Sequence, residues 1–171
     1  MKSYIVEEMQ NKEIYCRFIK IMLKHSDAFS LVYFKYRSSE LSRFSAWRVR
    51  KQLKPYLIYS HYGDEWPAMK TYNQFGHIYD IALYRADPLT EKALCKVNNL
   101  FDWDYPKFPM DLCFYNNGYG WFACCSHEEY AILYTDDEKI IAELENAGVE
   151  LSYDGDVSTS QLFYDEKAKL N

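Results

Sequence analysis

The sequence predicts a single α+β domain over residues 1–171, a largely antiparallel sheet with about four helices packed on it. Three observations lead there. Short aromatic and β-branched runs of strand length recur along the chain. Between them lie segments with apolar residues at helical spacing or with a capping side chain at their start. One Asn-Gly turn joins two of the runs as a hairpin. A chain of 171 residues is one domain's length and buries enough surface for a core without staples.

The elements follow in order. Glu8 to His25 places Ile14, Phe18, Ile21 and Met22 on one face among Lys and Glu, an amphipathic helix that Ser26-Asp27 breaks. Ala28 to Tyr36 is rich in aromatic and aliphatic residues (Phe29, Leu31, Val32, Tyr33, Phe34, Tyr36), a strand buried on both faces or nearly so. Ser38-Ser39-Glu40 offers a cap for a second helix, which runs to about Lys54 and stops at Pro55. Leu57 to Tyr59 is a short strand, Gly63 to Pro67 a turn, and Met69 to Tyr72 and His77 to Arg85 two more strands. Asp87 can cap, Pro88 suits the first helical position and Glu91 complements the dipole, so a third helix is expected from here to about Phe101. Asp102 to Pro109 connects it to the hairpin of Leu112–Tyr115 and Trp121–Cys125 around Asn116-Asn117-Gly118-Tyr119-Gly120. Tyr130 to Tyr134 extends that hairpin to a meander. Thr135 to Glu138 then caps a helix through Asn146, Gly148 ends it in the left-handed position, and Val149 to Tyr153 is the last strand.

Charge is distributed unevenly. The total is −5, yet residues 1–55 hold twelve Lys/Arg against five acids, and residues 56–171 hold eight against twenty. No Pro/Gly/Ser-rich linker separates the halves, so one fold carrying a basic and an acidic patch is expected. No run of about 18 apolar residues exists to cross a membrane. The first residues, Met1 to Glu8, lack the apolar centre of a signal peptide. Five cysteines (Cys16, Cys95, Cys113, Cys124, Cys125) form an odd set without repeated spacing, which argues for reduced thiols and a cytoplasmic protein.

Motifs for nucleotide loops, serine hydrolases and zincins are absent, and no cofactor or metal is expected. The densest chemical cluster is Cys124-Cys125-Ser126-His127-Glu128-Glu129. A zinc site there would need both cysteines, which point to opposite faces of a strand, and completion by Cys113, His61 or His77 without any CxxC spacing. A thiol nucleophile would pair Cys125 with His127 or His77, oriented by Asp111. The ordinary reading has Cys113 and one of Cys124 and Cys125 in the core and His127-Glu128-Glu129 exposed in a loop.

Two surfaces remain. On a helical wheel Arg43, Arg50 and Lys54 fall together with Trp47 and Lys51 beside them, cations next to a stacking ring, as an anionic ligand or nucleotide would require. Duplex nucleic acid is disfavoured by the overall acidity. The stronger feature is residues 126–156, which hold ten acids and a single Lys139, with Tyr115, Tyr119, Trp121, Tyr130, Tyr134 and Tyr153 nearby in a chain of 17 tyrosines. Carboxylates steer a basic partner, and Tyr and Trp bury large areas at low entropic cost.

Glu65-Trp66-Pro67, Pro109-Met110-Asp111-Leu112-Cys113-Phe114, Trp121 and Ser126-His127-Glu128 together resemble the pattern of an uncharacterised family of small proteins from Bacillus-like bacteria. The resemblance spans about the last two thirds of the chain. It implies a bacterial cytoplasmic or mobile-element setting, in which small acidic proteins act as inhibitors or immunity factors, and implies no catalytic residue. The sequence thus leads to a non-catalytic binding protein of inhibitor, immunity or counter-defence type. Its expected contacts with a basic macromolecular partner are Tyr119, Trp121, Glu128, Glu129, Tyr130 and Asp137. The rivals are the basic helix and the Cys/His hydrolase.

Overall fold

Eight antiparallel strands form one sheet, and what covers its two faces decides where side chains remain accessible. The computed structural model describes residues 1–34, 45–67, 69–70 and 79–170. In chain order the elements are β1 (Lys2–Val6), α1 (Lys12–Lys24), β2 (Ala28–Phe34), α2 (Ser45–Leu53), β3 (Leu57–Gly63), β4 (Glu65–Trp66), β5 (Met69–Lys70), β6 (Tyr79–Arg85), α3 (Glu91–Leu94), β7 (Met110–Asn116), β8 (Tyr119–Cys125), β9 (Tyr130–Tyr134), α4 (Glu138–Asn146) and β10 (Leu151–Asp156). The sheet order is β10-β1-β9-β8-β7-β2-β6-β3, and β4 and β5 pair separately. The expected α+β class stands, with four α-helices among the described residues and none long and apolar enough to cross a membrane.

The turn chemistry holds where it was expected. Asn117 and Gly118 both take positive φ, 51° and 83°, and turn β7 into β8. Asp137 caps α4 by accepting from the Lys139 N–H, and Gly148 follows the helix at φ 91°. Asp87 likewise caps the turn that begins at Pro88, accepting from Leu89 N–H.

Several elements differ from expectation. The strand expected over Leu57 to Tyr59 runs on to Gly63, and Glu65–Trp66, expected within a turn, forms β4 against β5. Residues 2–6, which carry no strong strand signal in sequence, form β1, and the first helix starts only at Lys12. Asn11 stops it there by accepting from the N–H groups of Glu13 and Ile14. The helix expected from Asp87 to Phe101 shrinks to a 3₁₀ turn and the four residues of α3. Asn99 opens a separate 3₁₀ turn in a reciprocal capping box with Asp102, so the backbone N–H groups of Asn98 and Asn99 bond to a carboxylate and not to a preceding helical turn. The last strand begins at Leu151 and runs to Asp156. The cap expected at Ser38-Ser39-Glu40 lies outside the described residues.

Helices cover one face of the sheet. Tyr15, Phe18, Ile19 and Met22 of α1 pack with Phe29, Phe114, Phe122 and Leu133 from the strands and with Ile141 and Leu144 of α4. Each such fully buried large side chain contributes roughly 1.5–3 kcal/mol. Trp103 lies in the same layer, its indole N–H donating to Tyr15 Oη at 2.7 Å, and Tyr15 in turn donating to Leu94 O at 3.0 Å. The other face buries Val32, Ile81, Cys113, Tyr115, Ala123 and Ile132 beneath Trp66 of the small hairpin and Ala168 near the C-terminus. Gly120 permits that closure, because a Cβ there would stand 2.8 Å from Cγ of Pro67.

Candidate functional site

The β7–β8 register sets Cys113 against Ala123, so two residues outward Asp111 faces Cys125. Asp111 is buried, with φ 55°, a left-handed backbone that costs an L-residue roughly 1–2 kcal/mol. Its Oδ1 accepts from Ser126 N–H and its Oδ2 from Trp66 Nε1–H, both at 2.9 Å. Burial pushes the Asp111 carboxyl up, and those two donors and the nearby His127 ring counter the shift. Cys125 Sγ lies 3.5 Å from His127 Nδ1, and the donor atoms of Asp111, Cys125 and His127 all lie within 4.8 Å of one another. Behind the ring, His127 Nε2 stands 3.8 Å from Glu128 Oε1.

The segments Glu65-Trp66-Pro67, Pro109 to Phe114 and Ser126-His127-Glu128, distant in sequence, therefore converge on one carboxylate. The expected thiol, imidazole and acid do meet. Burial, with the carboxylates of Asp111 and Glu128 beside it, pushes the Cys125 thiol up to about 12, so it is protonated at neutral pH and poorly suited to attack a carbonyl. Cys124 points to the helix side of the sheet and is buried there near Leu100 O and Ser126 Oγ. Cys113 is buried two residues inward, and His61 stacks on Tyr59 in β3, the far edge strand. His77 lies outside the described residues. Trp66 is the member that sequence reasoning missed; counting outward from the Asn117–Gly118 turn would set Asp111 against Cys124, and the one-residue shift at Trp121 brings it to Cys125.

The six expected contact residues divide between two ends of the sheet. Tyr119 begins β8 and Cys125 ends it, about 20 Å apart at roughly 3.3 Å per residue. Glu128, Glu129 and Tyr130 follow Cys125, all exposed. Tyr119 and Asp137 belong to the opposite end, where Tyr119 is half-buried against Tyr164 and Asp137 is engaged as the α4 cap. Trp121 is corrected. Only 6% exposed, it belongs to the core, its indole donating to Ser26 Oγ at 3.0 Å. A register shift pairs Phe114 with Phe122 but Tyr115 with Gly120; Trp121 is the extra residue, and both it and Phe122 join the helix-side core.

At the Tyr130 end β1 stops and β10 starts, which adds Glu7, Glu8 and Glu150, and the C-terminal turn of α4 adds Glu145. Glu7, Glu8, Glu145 and Glu150 line one groove with Val149, Leu151 and Ser152. These four and Glu128 and Glu129 have no Lys or Arg ion-pair partner among the described residues. Other acids are paired, among them Asp136 with the N-terminal ammonium, Glu138 with Lys2, and Glu143 with Lys24 and His25.

Of the basic-helix residues, Arg43 lies outside the described residues. Trp47 is 45% exposed and lines a hollow with Arg50, Lys51, Lys54, Leu57 and Tyr84. Arg50 is already engaged, 2.6 Å from Asp80 and over the Tyr33 ring. A comparison with protein-family models, curated proteins and solved structures finds no match to this chain.

Proposed function

We propose that this is a small non-catalytic binding protein that docks a basic macromolecular partner through its acidic end, in the manner of an inhibitor, immunity or counter-defence factor. The observation that carries it is the gathering of Glu7, Glu8, Glu128, Glu129, Glu145 and Glu150 at the Tyr130 end without a Lys or Arg ion-pair partner among the described residues, whereas Asp136, Glu138 and Glu143 each meet a cation within the fold. Glu128, Glu129 and Tyr130 keep their expected role, and Glu7, Glu8, Glu145 and Glu150 join them in place of Tyr119, Trp121 and Asp137. Unpaired carboxylates raise the rate and selectivity of encounter with a cationic surface, and the exposed Tyr130 ring supplies contact area. A bacterial cytoplasmic setting, implied by the resemblance in the sequence, belongs to the same proposal.

The test is quantitative affinity capture with the triple variant Glu8→Lys, Glu129→Lys, Glu150→Lys, with Asp136→Lys as a control at the other end. Basic partners are expected to be lost from the triple variant and kept by the control, and to weaken as salt rises. Equal capture by all three proteins ends the proposal.

The hollow at Trp47 supports a second reading, an anionic-ligand or nucleotide-binding module. Lys51 and Lys54 supply its free charge, because Arg50 is held by Asp80. A thermal shift with nucleotides that Lys54→Ala abolishes would favour it, and no shift with any anionic ligand would remove it.

A further inference from the structure

We infer that Asp111, Cys125 and His127 form a site for one zinc ion, held by a carboxylate oxygen, a thiolate sulfur and imidazole Nδ1, with the fourth position open to water. The distances support this. Zinc–sulfur and zinc–nitrogen bonds of about 2.3 and 2.0 Å at a tetrahedral angle separate sulfur from nitrogen by about 3.5 Å. Cys125 Sγ and His127 Nδ1 stand 3.5 Å apart, and the carboxylate oxygen lies within 4.8 Å of both, close enough to complete the three-donor set by a small side-chain adjustment.

The surroundings are those of a ligand set. Each Asp111 oxygen accepts one N–H, from Ser126 or Trp66, and keeps a lone pair for a metal, so the carboxylate is oriented without being used up. The imidazole turns Nδ1 toward the sulfur, and its Nε2 lies 3.8 Å from the Glu128 carboxylate, at ion-pair and not hydrogen-bond distance. Among the described residues the buried Asp111 carboxylate meets two neutral donors and no Lys or Arg, and a dication would supply the missing positive charge. One sulfur, one nitrogen and one oxygen suit zinc; magnesium and calcium would require an oxygen shell that the cluster lacks. His127 is exposed, so ion and water have a path in.

This arrangement differs from the zinc site weighed in the sequence. Cys124 points away as strand alternation requires, and Asp111, supplied by the neighbouring strand, takes its place. Binding converts the Cys125 thiol to a thiolate on the metal and releases one proton to the solvent.

The test uses the full chain, stripped of metal and titrated with Zn²⁺ by calorimetry and with Co²⁺ by absorption. Expected are one ion per chain, proton release visible as a buffer-dependent enthalpy, and a thiolate-to-cobalt charge-transfer band. Cys125→Ser should abolish the band. His127→Gln, which alters an exposed ring and leaves folding intact, should weaken zinc at least about tenfold, the size of effect seen even for groups behind the ligands. The double variant Cys16→Ser, Cys95→Ser should bind as the parent does. Absence of binding at equimolar metal, or binding that His127→Gln leaves unchanged, overturns the inference and leaves Asp111 as a structural clamp alone. The docking test is independent, since none of its substitutions touches this cluster.

Discussion

Trp66 Nε1 donates to Asp111 Oδ2 at 2.9 Å across 45 positions of sequence, and this bond ties the two-stranded β4–β5 hairpin to the start of β7. The indole is buried, and among the described residues the carboxylate has one other hydrogen-bond donor, the Ser126 N–H. One carboxylate, through two hydrogen bonds, therefore links the cover of the second sheet face to the turn that carries His127 and Glu128.

Trp66→Phe keeps most of the apolar area and deletes that bond. A buried carboxylate left short of a donor costs about 1–3 kcal/mol. Chemical denaturation should show a lower midpoint with an unchanged slope, and a variant as stable as the parent would mean that the hairpin is held by packing alone.

Tyr15→Phe breaks the relay from Trp103 Nε1 through Tyr15 Oη to Leu94 O. Both outer groups are left unpaired in the interior, at roughly 1–3 kcal/mol each. A loss near 2 kcal/mol or more is expected from urea unfolding, against almost none for Tyr164→Phe, whose ring is largely exposed.

Glu143 accepts from Lys24 and His25, and these hydrogen bonds hold its carboxyl below the ordinary range. A carboxyl lowered in the folded state adds stability that is complete above its unfolded value and is lost as pH falls through its folded value. Glu143→Gln should thus destabilise at neutral pH and match the parent in acid. The pair is largely exposed, so the neutral-pH difference should be under about 1 kcal/mol and shrink with salt. A difference independent of pH would contradict the ion-pair account.

Native alkylation should proceed unequally. Cys113 and Cys124 are buried and their thiols pushed up by burial, so they should stay unmodified until the chain unfolds. Cys125, pushed up to about 12, should label slowly at neutral pH despite lying beside His127. Mapping iodoacetamide adducts by mass spectrometry checks this, and Cys125 as the fastest-labelled site would revive the nucleophile reading.

The features legible in the chain are local. The Asn117–Gly118 turn, the Asp137 cap, the strand Tyr130–Tyr134 and the apolar face of α1 depend on φ preferences, side-chain-to-backbone bonds and periodicity within a few residues. The tertiary structure alone decided three further matters. It inserted β1 between β9 and β10, which gathered acids from both ends of the chain at one end of the sheet. It shifted one register position so that Trp121 entered the core, a choice made by cross-strand pairing and not by residue type. It also brought Trp66, Asp111 and Ser126 together through contacts 15 and 45 positions long. Local propensities extend over a turn or two, whereas strand order and register follow from which apolar faces bury one another best across the whole chain.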